Sequence, residues 1–321
     1  MNGQTLRYHV RHETLYRYEH PVRESHQLLR LFPRALPWQR CVAQHLGVSP
    51  EPDRTRSFTD AFGNGVRALH FEHTHERLEV RSECWIELDS RIMPLLDNSP
   101  AWESVRDAMR YRAGRQLDGA MLEAVAFQFE STEVRIKRAF ADYATECFTP
   151  GRPVLSATDA LMRRIHEEFT FDPEATDVST PVIEVFEKRR GVCQDFAHFM
   201  IACLRSIGLA ARYVSGYLLT RPPSGRPRLV GADATHAWVS MFVPGAGWFD
   251  FDPTNALWAD QEHVTIGWGR DFADISPMRG VLLGGGGHAP EIAVTVVPED
   301  EFAGLYTDAA LPGLDLPPRG G

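Results

Sequence analysis

The chain reads as an α+β protein: an N-terminal antiparallel β-sandwich or barrel domain, then a core of helices packed on an antiparallel sheet. Three observations predict this. Residues 5 to about 90 alternate apolar and polar side chains and are rich in aromatic and β-branched types, as in LRYHVRHETLYRY, VRALHFEHT and LEVRSECWIEL, which is the period-two pattern of half-buried strands. From Cys193 to Ile207 the apolar residues recur instead at helical spacing. Three strand-like runs, ARYVSGYLL, THAWVSMFV and GWFDFDPT, come directly after that helix, so helices precede a sheet rather than alternating with its strands.

Taken in order, turn signals divide the N-terminal strands at SPEPD (49–53) and at DAFGNG (60–65), the second carrying Asn-Gly. Residues 91–155 change character. ESVRDAMRYRAGRQLDGAMLEAVAFQF is expected to be a weakly amphipathic helical connection, and FTPGRPV (148–154) marks a boundary by its composition. SATDALMRRIHEEFTF predicts a helix with Thr158 or Asp159 as its N-cap. TPVIEVFEKRRG predicts another, with Thr180 as cap, Pro181 at the first helical position and Gly191 as the stop. EIAVTVVP reads as a strand closing the core, and LPGLDLPPRGG belongs to a frayed tail. The expected organisation is 1–90, an N-terminal β domain; 91–155, a connecting segment; 156–300, the catalytic core; and 301–321, a tail.

Composition narrows the function. The 321 residues are 43% hydrophobic and 24% charged, with a net charge of −9. Such an acidic balance argues against nucleic-acid and anionic-membrane partners. No run approaches the ~18–20 apolar residues of a membrane span, and the polar start MNGQTLRYHVRHETLYRYEH predicts no secretory leader. The five cysteines are odd in number and lack a CxxC, which suits free thiols and a cytoplasmic location better than a disulfide framework.

One cysteine stands apart. In GVCQDFAHF, Cys193 comes two residues after a glycine and opens the apolar helix whose inward stripe is Phe196, Ala197, Met200, Cys203, Leu204 and Ile207. Unpaired N–H groups at a helix start favour negative charge, so a thiol there suits a nucleophile, and the same groups suit an oxyanion. Cys203, apolar on both sides, reads as core. A thiolate needs a base and a group that orients it. His236 lies on the strand THAWVSMFV, and Asp252 ends the next one. The linker PGAG (244–247) is a hairpin turn that can set the two side by side. Taken singly, His236 is an ordinary half-buried histidine and Asp252 a turn residue before Pro253; the ordered set of three points to chemistry.

GVCQDFAHFMIACLRSIGLAARYVSGYL together with THAWVSMFVPGAGWFDFDPTN resembles the core of the transglutaminase-like superfamily in its bacterial form. LLRLFPR and DAFGN resemble the N-terminal domain usually fused to it, and VTIGWGRDFADISPMRGVLLGGGG (264–287) is similar to the segment C-terminal to the core in these bacterial proteins. The resemblance implies a papain-like architecture with Cys193 as nucleophile, His236 as base and Asp252 as orienting acid. Gln194 and Trp238 are candidates for the oxyanion and substrate site. It implies acyl transfer on an amide or peptide bond through a thioester, with a peptide or protein substrate. Hydrolysis is the favoured outcome. A protein-glutamine transamidase, in which an amine replaces water, and a peptide-binding module that keeps the fold without activity are the alternatives.

No calcium loop of the DxDxDG type occurs, so no metal or other cofactor is expected at the site. His70, His73 and His75 in LHFEHTHERL read as a solvated strand face rather than a metal site. Trp238, Trp248, Trp258 and Trp268 read more readily as core than as groove walls. Asp195 suits a capping role at the helix start. His198, five residues past Cys193, reads as structural, and Arg189 and Arg190 as a solvated helix end.

Overall fold

In the computed structural model, residues 5–305 are described, apart from 111, 115, 178 and 221–234. The N-terminal strands are β1 (Leu6–Leu29), β2 (Gln39–Ser49), β3 (Arg54–Thr59), β4 (Gly65–Phe71) and β5 (His75–Leu88). They share one antiparallel sheet, ordered β2-β5-β1-β4-β3, that curls into a half-barrel rather than a two-sheet sandwich. β1 is long enough to serve twice: its first half pairs with β5 and its second with β4. Alternation places Tyr8, Val10, Cys84, Ile86 and Leu88 inward, as the period of two requires.

The region read as a connection is built into the core. It forms short helices α1 (Trp102–Met109), α2 (Gly119–Val125) and α3 (Arg138–Thr145). After these come α4 (Val154–Glu168), β6 (Thr170–Phe171), α5 (Val182–Lys188), β7 (Arg190–Gly191) and α6 (Cys193–Ser206). The ring of Phe199 on α6 sits 4.9–5.6 Å from those of Phe140 and Tyr143 on α3, Phe169 after α4 and Phe186 on α5. Aromatic edges and faces thus pin three neighbouring segments to one helix.

Helix boundaries differ from expectation in a consistent way. α4 begins five residues before Asp159, after Pro153; Thr158 lies inside it and donates to the Val154 carbonyl, and Asp159 pairs with Arg163. α5 begins after Pro181, which lies just outside it, while Thr180 bonds with Asp177. In both helices a proline with extended backbone precedes the first turn, where the missing N–H costs nothing. The stop after α5 is Arg189, at φ 54°, and not Gly191.

α6 lies on a second antiparallel sheet, ordered β11-β10-β9-β8-β12. Its strands are β8 (Ala211–Leu218), β9 (Thr235–Val243), β10 (Gly247–Asp252), β11 (Leu257–Trp258) and β12 (His263–Gly269). One face packs under α6, through Phe196, Met200 and Leu204 against Val239 and Met241. The other faces the half-barrel, through Tyr217, Leu219, Val264 and Ile266. α7 (Phe272–Ile275) leads to β13 (Met278–Gly284) and β14 (Pro290–Pro298), and α8 (Glu299–Leu305) comes after them. β14 contains EIAVTVVP, expected in the core, yet it pairs with the first half of β1, and β13 pairs with the second. These last strands therefore complete the N-terminal sheet. Of the expected tail, residues 306–321 lie outside the described residues. Among the described residues no helix is long and apolar enough to cross a membrane.

Arg205, near the end of α6, is 2% exposed. It donates to the carbonyls of Ala211, Phe129 and Arg270 at 2.6–3.1 Å and to Ser131 Oγ at 3.1 Å. Burial pushes its guanidinium down to about 10. One side chain thereby fastens the helix to the start of the following strand and to two loops, and removing it strands several acceptors at once. Arg205→Met should lower unfolding stability by ~3–5 kcal/mol in urea titration; a loss below ~1 kcal/mol would show that the loops are held by other means.

Candidate active site

Gly191 explains how Cys193 enters its helix. A Cβ at Gly191 would meet Asp195 Oδ2 at 2.5 Å and Asp195 Cβ at 2.8 Å. With that space open, Asp195 folds back to accept from the Val192 N–H at 2.8 Å and from Thr176 Oγ1 at 2.6 Å. Burial raises the Asp195 carboxyl against these bonds. The cap consumes the Val192 amide and leaves those of Cys193 and Gln194 at the helix start to a substrate. Cys193 is partly exposed, and its sulfur lies 4.0 Å from the carbonyl oxygen of Thr235, the residue before His236.

The hairpin supplies the rest. β9 and β10 pair with Val243 opposite Gly247 and Phe251 opposite Val239. One rung further, Asp252 falls opposite Trp238, and the turn after β10 brings its carboxylate to the imidazole of His236. His236 Nε2 and Asp252 Oδ2 are 2.7 Å apart. With Nε2 committed to the carboxylate, Nδ1 is the nitrogen for the sulfur. Burial alone would lower the His236 imidazole, but its bonds to Asp252 and to Cys193 outweigh that and raise it to about 10.

Asp252 is fully buried. Oδ1 accepts from the backbone N–H groups of Thr254 and Asn255 at 3.0 and 3.3 Å. Oδ2 meets Asn255 Nδ2 at 2.7 Å and His263 Nε2 at 3.2 Å in addition to His236. Burial opposes ionisation, yet His236 and His263 hold the carboxyl far below the usual carboxylate range. The sequence patterns do not single out His263 or Asn255. Asn255, three residues past Asp252, was accessible as part of the turn that the Asp252 carboxylate caps. His263 was not: β11 and β12 lie on opposite edges of the sheet, and His263 meets Asp252 only because the chain crosses between them.

Trp238 does not face a substrate. It is 0% exposed, its ring stands edge-on 5.3 Å from that of His263, and a Cβ at Gly216 would collide with it. It is a wall behind the histidines. Gln194 stays half-buried in the first turn of α6, beside Cys193. His198 is buried and accepts from the Phe272 N–H at 3.1 Å, and burial pushes it down to about 4. Cys203 is buried, and burial raises its thiol. The nitrogens of His236 and His263 and a carboxylate oxygen of Asp252 lie within 4.8 Å of one another. There Asp252 Oδ2 already accepts from three side chains, His236, His263 and Asn255, so the oxygen is committed to donors.

The raised imidazole carries a stability consequence. A group whose pKa is higher folded than unfolded stabilises fully below its unfolded value of ~6.5 and loses that effect as pH climbs through the folded value. The advantage of the wild type over His236→Gln in urea melts should be complete at about pH 6 and fade towards pH 10. An advantage that grows with pH would contradict a cationic His236.

Comparison with known proteins identifies the family. Residues 8–87 match the bacterial transglutaminase-like N-terminal region, and residues 141–253 match the transglutaminase-like superfamily. An uncharacterized protein of Mycobacterium tuberculosis is 38% identical over 302 residues, covering 92% of this chain and 93% of that one. The protein-glutamine gamma-glutamyltransferase of Pseudomonas aeruginosa is 35% identical over 152 residues, 44% of this chain and 22% of that one. A crystal structure of a candidate cysteine protease from Cytophaga hutchinsonii has the same fold, with a TM-score of 0.71, 19% identity and coverage of 94% and 93% of the two chains. The chain belongs to the transglutaminase-like superfamily and joins its core to the bacterial N-terminal region.

Proposed function

We propose that the protein is a cysteine-dependent acyl-transfer enzyme that hydrolyses an amide bond of a peptide or protein substrate through a thioester on Cys193. The observation that carries this reading is the His236–Asp252 bond of 2.7 Å beside a partly exposed cysteine at a helix start. Cys193 as thiolate attacks the carbonyl carbon, forming the C–S bond. The oxyanion faces the Cys193 N–H, with Gln194 beside it. His236, as imidazolium, gives its Nδ1 proton to the leaving nitrogen as the C–N bond breaks. The neutral imidazole then takes a proton from water, which attacks the thioester carbonyl and expels the Cys193 sulfur. Asp252 holds Nε2 throughout and stabilises the cation.

The local surface fits a peptide. Two large apolar side chains near the site are exposed, Phe171 at 54% and Leu257 at 47%. Phe171 pairs with Gly191, two residues before Cys193, and Leu257 pairs with Asp252. One beside the short strand that leads into the nucleophile's helix and one beside the acid's strand, they offer apolar contacts to side chains flanking the scissile bond. A second reading has one specific support, the similarity to a protein-glutamine gamma-glutamyltransferase: a primary amine in place of water makes the same thioester a transamidation intermediate.

Two measurements test this. Iodoacetamide at about pH 6.5 should label Cys193 at least ~10-fold faster than free cysteine, Cys203 should stay unlabelled, and His236→Ala should remove the advantage. Incubation of a peptide pool with and without a primary amine, read by mass spectrometry, should give new carboxyl termini or side-chain acids. His236→Ala should lower the rate at least ~1,000-fold. Amine adducts in preference to acids would install the transamidase reading. No product above the Cys193→Ala control, with ordinary thiol labelling, would leave a peptide-binding module.

A further inference from the structure

The half-barrel carries a second cluster of chemistry-bearing side chains on its outer face, remote in sequence from the triad. His26 on β1 and His70 on β4 are directly paired across the antiparallel ladder. Their rings stack, with centroids 4.0 Å apart at 15°. Glu24, two residues before His26 and so on the same face, reaches both: its Oε1 lies 3.2 Å from His26 Nε2 and 3.3 Å from His70 Nε2. Glu72, two residues after His70, lies 3.5 Å from His70 Nδ1 through its Oε1, and Arg54 donates to that same oxygen at 2.8 Å. The result is a cluster of two glutamates and two histidines, with the histidines facing each other across the strands.

We propose that Glu24, His26 and His70 form a binding site for a divalent zinc-class metal ion. Three features support it. Tetrahedral zinc with bonds of ~2.0–2.1 Å to nitrogen and oxygen has ligand atoms ~3.3 Å apart along each edge, and the two glutamate–histidine separations are 3.2 and 3.3 Å. The ligand atoms of all three residues lie within 4.8 Å of one another. The directly paired imidazoles both present Nε2 to the same Glu24 oxygen, so the three donor atoms gather at one place. Glu72 on the remaining nitrogen of His70 fits the outer carboxylate that fixes a metal-bound imidazole. Imidazole with carboxylate selects zinc, copper or nickel over calcium or magnesium. All three ligands are partly exposed, with side-chain accessibilities of 50%, 56% and 19%, so the ion would be open to solvent and would tie β1 to β4.

The histidines read in sequence as one strand face are dispersed. His73 pairs with Asp53 at 2.9 Å, and His75 is buried beside Tyr18 and Phe71. Only His70 joins the cluster, and its partner His26 lies far from it in the chain.

The test is zinc titration by calorimetry on full-length protein with no histidine tag, at about pH 7.5 where imidazole is a ligand. The comparison set is His26→Ala, His70→Ala and His263→Ala. We expect one zinc per chain, at least ~10-fold weaker in His26→Ala and His70→Ala and unchanged in His263→Ala, with a rise in melting temperature in zinc that the first two variants lose. Circular dichroism in the absence of metal should be the same for wild type and both surface variants. Zinc binding unaffected by His26→Ala and His70→Ala overturns the proposal, as does binding lost in His263→Ala, which would put the ion on the triad. Absence of binding in the wild type also overturns it.

Discussion

A buried carboxylate organises this molecule. Asp252 has no exposure, and an unpaired carboxylate there would cost several kcal/mol or take up a proton. It stays ionised because donors converge on it: two backbone amides and Asn255 from its own turn, His236 from β9 and His263 from β12. Each requirement reaches further into the fold. The turn after β10 must close, the β9–β10 register must be kept, and the chain must cross the sheet to bring in β12.

That last requirement gives the half-barrel a structural role. Gln39 and Thr265 of β12 exchange a reciprocal pair of bonds, at 2.7 Å each. Asn64 does the same with the Trp268 backbone at 2.8 and 3.0 Å. Arg34 bonds Asn64 and stacks on Trp268, with Arg212 on the ring as well. The motifs LLRLFPR and DAFGN, separate in sequence, therefore meet at one place and grip the strand that carries His263. Trp268 between two guanidinium groups has a structural role of its own, as does Trp248, on which Arg212 also stacks. Burial pushes Arg212 down to about 9, so its rings and its attraction to Asp250 are what keep the cation inside.

What sequence reveals depends on the range of each interaction. Cys193, His236 and Asp252 were legible because helical periodicity and a four-residue turn fix their directions locally. His263 was illegible because its position depends on a crossing between sheet edges. The allegiance of β14 was illegible because alternation shows that a strand exists but not which strand it joins. Trp238 is a substrate candidate in sequence because it lies two residues from His236; only the packing of Gly216 and His263 around it shows that the sheet is closed there. The helix starts slipped because a proline before the first turn carries no side-chain cap to announce it. His26 and His70 became partners only through the register of β1 with β4.

The proposed cycle asks one imidazole to be an acid and then a base, and the electrostatics of the site explain how. His236 is held protonated by two neighbours, Asp252 and Cys193. The contribution of Asp252 is permanent, since its carboxyl stays ionised across the working range. The contribution of Cys193 runs through its hydrogen bond first and its charge second, and both are lost once the sulfur is acylated. Before acylation the site therefore favours the cation that must donate to the leaving nitrogen; afterwards one of its two supports is gone and burial pulls the ring towards the neutral form that accepts from water or an amine. When the thioester breaks, charge returns to sulfur and the proton taken from the acceptor is stabilised on His236. The alternation of roles needs no movement of the histidine, only the making and breaking of the bond to Cys193, which is why Asp252 must stay buried and fixed while the chemistry proceeds beside it.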